Sequence, residues 1–185
     1  KSNKMKFHLS VRPRLTNSKL TYKYYTESIK FGNETAIGVG LEGEFVLPFN
    51  KNKWAVIIEP TFQSYKANKK DYTNVYDVKV DLKTIEVPFG GRYYMFLNQN
   101  SKLFVNALYM YNIDLSSSFD YTYKGKTYSK LDINSSGNFA FGFGYKFKDR
   151  FNLEVRYSAN RKVMDYISTE TDYSTLSFIL GYTIF

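Results

Sequence analysis

Apolar and polar residues trade places at every second position along most of this chain. Between 7 and 15, Phe7, Leu9, Val11, Pro13 and Leu15 hold the odd positions, and His8, Ser10, Arg12 and Arg14 the even ones. Between 35 and 47, Ile37, Val39, Leu41, Phe45 and Leu47 run against Ala36, Gly38, Gly40, Glu42, Glu44 and Val46. A period of two belongs to a β-strand whose two faces meet different surroundings. The same alternation recurs at 54–63, 84–95, 103–114, 139–147, 151–160 and 176–185, and helical spacing is nearly absent. Eight strands are predicted.

The connections add a second rhythm. They run alternately long and short, the long ones at 17–34, 66–83, 116–137 and 161–174, the short ones at 48–53, 97–102 and 148–150. Barrels of the bacterial outer membrane have short periplasmic turns and longer extracellular loops. A soluble sandwich gives no reason for such regularity. Each run is near the ~9–11 residues that a tilted strand needs to cross hydrocarbon. A sheet in lipid must close on itself, because no water is there to satisfy an open edge. Eight strands make a barrel just wide enough for its own side chains to fill. The predicted fold is therefore all-β, an eight-stranded antiparallel up-and-down transmembrane β-barrel. Residues 1–185 are read as a single outer-membrane β-barrel domain, with periplasmic termini and extracellular long loops.

Some local features strain this scheme. Pro13, Pro60 and Pro88 fall inside strands, where each removes a ladder donor, so bulges or lost bonds are expected near the rims. Val78, Val80 and Leu82 are out of phase with Ile85, Val87 and Phe89. A bulge near 83–84 would restore the phase, or 75–83 would be ribbon projecting beyond the membrane.

Composition sharpens the picture. Tyr 18, Phe 16 and Trp 1 give 19% aromatic residues, while mean hydropathy is only −0.41, which requires rings and polar groups to be finely interleaved. With no cysteine there is neither a disulfide framework nor a thiolate metal site. No apolar run is long enough for a transmembrane helix. Lys and Arg number 26 against 17 acidic residues, a net charge of +9. Such a balance permits nucleic acid, anionic lipid or acidic sugars as partners. The basic residues are scattered over several loops and the interior, which does not fit a nucleic-acid interface.

The outward face carries almost no charge, as lipid demands. Phe45, Phe49, Trp54, Tyr93, Phe96, Tyr145, Phe147, Phe151 and Tyr182 fall near the short turns or the C-terminus, placed for a periplasmic-side aromatic girdle. The inward face carries Arg12, Arg14, Arg92, Lys146 and Arg156 against Glu42, Glu44, Glu59, Glu86 and Glu154. An isolated charge in a narrow lumen costs several kcal/mol, so these balanced sets are expected to pair. Inward Gly38, Gly40, Gly90, Gly142, Gly144 and Gly181 leave room for the long arms. A selective pore would need a wider barrel or one dominant sign.

Other chemistry finds little support. Glu42 and Glu44 have the residue types of a glycosidic acid–base pair, but the equal number of nearby cations favours structural pairing. His8 sits on the lumen face near the periplasmic end, and nothing places a serine with it at the lipid boundary, where barrel hydrolases of the outer membrane use a Ser/His pair. Metal ligands of the right kind are lacking. Gly90-Gly91 lies within a strand and not in a strand-to-helix phosphate loop. No enzyme, cofactor or metal is expected. The loop stretches 22–25, 66–74 and 121–130, rich in Tyr, Asn, Ser, Thr and Lys, suit contacts with lipopolysaccharide, glycans or protein, or simple solvation.

Residues 85–94, Ile-Glu-Val-Pro-Phe-Gly-Gly-Arg-Tyr-Tyr, resemble a stretch of the porin-like outer-membrane β-barrels of Bacteroidota, small eight-stranded type. The ending Leu-Gly-Tyr-Thr-Ile-Phe resembles the last strand of such barrels, which commonly stops at an aromatic residue recognised during assembly. The resemblance implies that Phe185 is that assembly signal. It speaks to fold and location more than to activity, since such barrels do many jobs. The expectation is a non-enzymatic anchor, scaffold or accessory subunit of an outer-membrane complex. Its partners would be outer-membrane lipid, lipopolysaccharide and other outer-membrane proteins. A narrow passive channel or transporter, and a soluble lipocalin-like binder with its faces reversed, are the alternatives.

Overall fold

The computed structural model describes the backbone of residues 4–24, 27–30, 34–70, 76–123, 126–129, 137–166 and 169–185, and the side chains of 4–18, 35–64, 83–113, 115, 137–158 and 174–185. Its strands are β1 (Lys6–Tyr24), β2 (Glu27–Lys30), β3 (Glu34–Val46), β4 (Trp54–Ile58), β5 (Thr61–Lys70) and β6 (Tyr76–Phe96), followed by β7 (Ser101–Tyr123), β8 (Lys126–Ser129), β9 (Asn138–Phe147), β10 (Phe151–Tyr166) and β11 (Thr169–Thr183). Every pairing is antiparallel, and β1 pairs with β11 on one side and β3 on the other, so the sheet closes. Three staves are each built from two strands in line, β2 with β3, β4 with β5 and β8 with β9, which makes a closed barrel of eight.

The short turns explain themselves locally. Lys148 and Asp149 both have positive φ, 51° and 54°, and the Arg150 amide donates back to the Phe147 carbonyl at 3.0 Å. Two successive left-handed residues give this three-residue β9–β10 turn a twist that suits its flanking strands. Between β3 and β4 the chain turns through Asn50, Lys51 and Asn52, also at positive φ. The Asn52 amide fixes this turn by donating to the carbonyls of Leu47 at 2.9 Å and Lys4 at 3.0 Å.

The long connections are not loops throughout. The β1–β11 ladder continues to Tyr24↔Thr169, and the β6–β7 ladder to Tyr76↔Tyr123. Strands therefore run on as ribbon beyond the belt, as considered for 75–83. The irregularity near 83–84 is present, but Lys83 faces Ser116 while Thr84 faces Asp114. Leu115 of β7 is thus the extra residue, and β6 passes through without one.

The prolines lie in mid-wall, beside the lumen charges, and not near the rims. The β1–β11 ladder skips Arg12 and Pro13 and resumes at Arg14↔Ile179. Pro60 interrupts the stave at Glu59–Pro60, yet β4 and β5 keep one register against both neighbours. Pro88 accepts from the Glu59 amide at 2.9 Å but has no N–H to return. The Thr61 hydroxyl supplies the missing donor, reaching the Glu59 carbonyl at 3.0 Å. A broken ladder in a low-dielectric wall is costly unless its groups find other partners.

Burial is inverted relative to a water-soluble domain. Arg12, Arg92 and Lys146 are 0% exposed, whereas Ile37, Phe141 and Leu180 are 71%, 59% and 59% exposed.

Candidate functional site: the charge network of the lumen

Alternate residues of six staves, even-numbered except on the β4–β5 stave, converge on one layer inside the barrel. β1 contributes Arg12 and Arg14, β3 Glu42 and Glu44, and the break between β4 and β5 contributes Glu59. Arg92 and Tyr94 come from β6, Lys146 from β9, and Glu154 and Arg156 from β10. Period-two alternation on neighbouring staves makes this convergence automatic, provided no bulge intervenes.

The network is continuous. Arg12 bridges Glu42 and Glu154 and reaches Glu59 at 3.4 Å. Arg92 meets Glu42 at 2.7 Å and Glu44 at 3.1 Å, and its Nε donates to Asn106 at 2.8 Å. The guanidinium also lies 4.3 Å from the centroid of the Phe104 ring. Arg156 holds Glu154 at 2.7 Å and Glu59 at 2.8 Å, and Arg14 adds a further ion pair to Glu59. Lys146 pairs with Glu44 at 2.5 Å, and the Tyr94 hydroxyl donates to the same carboxylate. Glu86 stands slightly apart, accepting from the Gln63 amide at 2.6 Å. Four carboxylates interleaved with five cations offset the desolvation that one buried pair could not.

Glycines make the space. A Cβ on Gly40 would lie 2.6 Å from the Glu59 carboxylate and 2.7 Å from the Thr61 hydroxyl. A Cβ on Gly142 would strike the Glu154 carboxylate. Towards the short turns the network rests on a small apolar floor of Val46, Ala55, Tyr94 and Phe104. Below it, Lys102 stands 4.0 Å from the Tyr94 ring centroid and pairs with Asp149 of the β9–β10 turn at 2.5 Å. Burial would raise the Asp149 carboxyl, but the Lys102 ammonium outweighs it and holds that group below the usual carboxylate range. His8 is half-buried at this mouth, and its Nε2 has no hydrogen-bond partner among the described residues.

The rings expected near the short turns are found there. Trp54 packs on Tyr93 at 4.9 Å and Phe151 on Tyr182 at 5.3 Å. Phe45 packs on Phe7 at 4.9 Å, and Ser101 hydrogen-bonds the Tyr145 hydroxyl at 2.9 Å. Phe49, Phe96 and Phe147 are exposed at the same end. Phe96 shares parity with the lumen residues, but as the last residue of β6 it sits at the rim, stacked 6.5 Å from Tyr94. Phe185 also leaves its parity. The amides of Ile184 and Phe185 both donate to the Leu9 carbonyl, at 2.8 and 3.4 Å, and Leu9 donates to Phe185 at 2.8 Å. Two residues facing one is a β-bulge, and it turns Phe185 outward, 75% exposed and 6.3 Å from Phe7.

Residues 4–160, most of the chain, match the family profile described as outer membrane protein beta-barrel domain. The chain belongs to this family. Its apolar belt accordingly lies in the outer membrane, and its closed antiparallel sheet is the family's fold. Among solved structures, that of Ail, the attachment invasion locus protein of Yersinia pestis, in complex with the heparin analogue sucrose octasulfate, is similar. It is 18% identical, with 97% of this chain and 99% of that one covered and a TM-score of 0.54. The outer membrane protein OprG from Pseudomonas aeruginosa is 15% identical, with 96% and 95% covered and a TM-score of 0.56. At such identities the likeness speaks for fold alone. No curated protein matches the chain.

Several contributors were not picked out from the sequence of this outer-membrane barrel. Tyr94 shares a strand face with Arg92 two residues away, and parity alone could have added it. Lys102, at the start of β7, and Asp149, in the β9–β10 turn, are opposite charges at the short-turn end, a weaker signal. Thr61 had none, because its role depends on Pro88 facing Glu59. The stretches 22–25, 66–74 and 121–130, expected to make contacts, have side chains outside the described residues.

Proposed function

We propose that this barrel is a non-enzymatic anchor, scaffold or accessory subunit of an outer-membrane complex, folded as one domain over residues 1–185, with its lumen shut by salt bridges. One observation carries the reading: Arg12, Arg92, Glu42, Glu44 and Glu59 span the interior with their side chains at most 1% exposed and bonded to one another. A conducting pathway needs a hydrated file through that layer. A lipocalin-like binder needs an apolar interior to receive its ligand, and here the interior holds the charges. Among the described residues no group in the layer is held ready for a substrate, since these arginines and carboxylates are engaged with one another.

The short turns and termini face the periplasm in this reading, and the ribbons face outward, where they meet lipopolysaccharide or another outer-membrane protein. The contrast between three- to seven-residue turns and ribbons of β6 and β7 length supports that orientation. The rings from Phe45 round to Tyr182 form the girdle at the periplasmic headgroup layer, and the outward-turned Phe185 is the assembly signal. The motifs at 85–94 and 180–185 favour a Bacteroidota source. Gentle detergent extraction of native membranes tests the role. A second outer-membrane protein should co-purify in fixed ratio, whereas a barrel that migrates alone at monomer mass would overturn the subunit assignment.

A further inference from the structure

We propose that the outer wall at β10, β11 and β1 holds one anionic phospholipid, its phosphate at Lys148 and Arg150 and an acyl chain in the groove above them. The proposal rests on the short-turn end lying in the periplasmic leaflet.

The groove is a feature of the wall itself. It has a volume of about 390 Å³ and is lined by Pro13, Tyr145, Leu153 and Leu180, with Phe147 and Phe151 at its turn end. Its floor crosses the place where the β1–β11 ladder skips Pro13. Pro13, between Val11 and Leu15 on the same face, lines this trough. From Pro13, Leu153 and Leu180 a second trough of about 510 Å³ continues towards Phe143 and Phe178. The two troughs share Pro13, Tyr145, Leu153 and Leu180 and together make a continuous apolar surface across β9, β10, β11 and β1 that can receive an acyl chain.

Its turn end is cationic by construction. Phe147 and Phe151 flank the three-residue turn Lys148-Asp149-Arg150. Asp149 points into the mouth and is neutralised by Lys102. Lys148 and Arg150 are exposed and form no ion pair among the described residues. The Lys148 ammonium sits 5.3 Å from the Phe147 ring centroid, directly beside the groove entrance. Drawing the one carboxylate inward thus leaves two cations at the headgroup layer, next to a slot for hydrocarbon. A phosphodiester carrying one net negative charge and two acyl chains fits both halves; a zwitterionic lipid fits only the groove.

Native mass spectrometry of the intact protein in detergent, titrated with phosphatidylglycerol or phosphatidylethanolamine of matched chains, tests this. One phosphatidylglycerol should be retained in preference. K148Q/R150Q should lower its retention by about twenty-five-fold, from about fivefold per cation, with phosphatidylethanolamine unchanged. K51Q/K53Q, on the far β3–β4 turn, should leave retention intact. Equal retention of the two lipids, or equal losses in both double variants, would overturn the site in favour of diffuse basic charge. Retention of deacylated glycerophosphoglycerol to the same extent would remove the groove from the assignment. Preference for lipid A over phosphatidylglycerol would overturn the ligand. Protease access to the ribbons in whole cells tests the orientation separately.

Discussion

The two faces of β10 show two ways of living without water. Leu153, Val155 and Tyr157 are 55%, 42% and 48% exposed on the outer wall, while Asn152, Glu154, Arg156 and Ser158 are at most 7% exposed within. The outer face meets lipid and needs no partners, so any apolar side chain of tolerable shape serves. The inner face is equally dry, yet it is charged, so each group depends on a named neighbour. One wall tolerates substitution and the other does not, although their residues alternate along one strand.

The sharpest break in that comparison is Glu59→Gln. Glu59 serves Arg12, Arg14 and Arg156 at once, and its neutralisation leaves buried cations uncompensated. Urea unfolding of the refolded barrel in lipid vesicles should show a loss of about 3–5 kcal/mol. A loss under about 1 kcal/mol, the scale of an exposed pair, would mean that the network is hydrated. The reverse intrusion, Val155→Arg, puts a charge into the apolar belt, on the second trough next to Leu153. The same assay should register about 2–4 kcal/mol, the cost of arginine near the bilayer midplane.

Gly142→Ala asks how closely the interior is packed. Its Cβ meets the Glu154 carboxylate, and displacing that group should cost about 1–3 kcal/mol. Gly91, where a Cβ meets nothing within 4 Å, is the outward control and should accept alanine with little change. Thr61→Val is the smallest test. It removes the donor to the Glu59 carbonyl while keeping the shape, and about 1 kcal/mol should be lost; no change would show that the strand break at Pro60 needs no patch.

Much of this arrangement was readable from the chain, because the lumen residues of β1, β3, β6, β9 and β10 lie in runs without an inserted residue. Parity alone then places Arg12 with Glu42, and Arg92 with Glu44. Parity says nothing of the partner across the barrel: Arg12 meets Glu154, 142 residues away, only because the sheet closes. It also fails where the ladder adds a residue. The Ile184–Phe185 bulge reverses the face of Phe185, and the extra residue near Lys83 proved to be Leu115 on the facing strand. Pro60 looked like an obstacle and is an in-register gap, since its stave keeps both neighbours. The connections read as loops carry ladder well past the belt, because polar Lys, Ser, Thr and Tyr lack the apolar face by which a strand is noticed, although their backbone pairing is the same.

The central claim is a lumen sealed by paired charges, and conductance tests it most directly. Purified, refolded protein in planar bilayers at moderate voltage should give no stepwise current above the bare-lipid baseline. Stable, recurring single-channel openings by the unmodified protein would contradict the account.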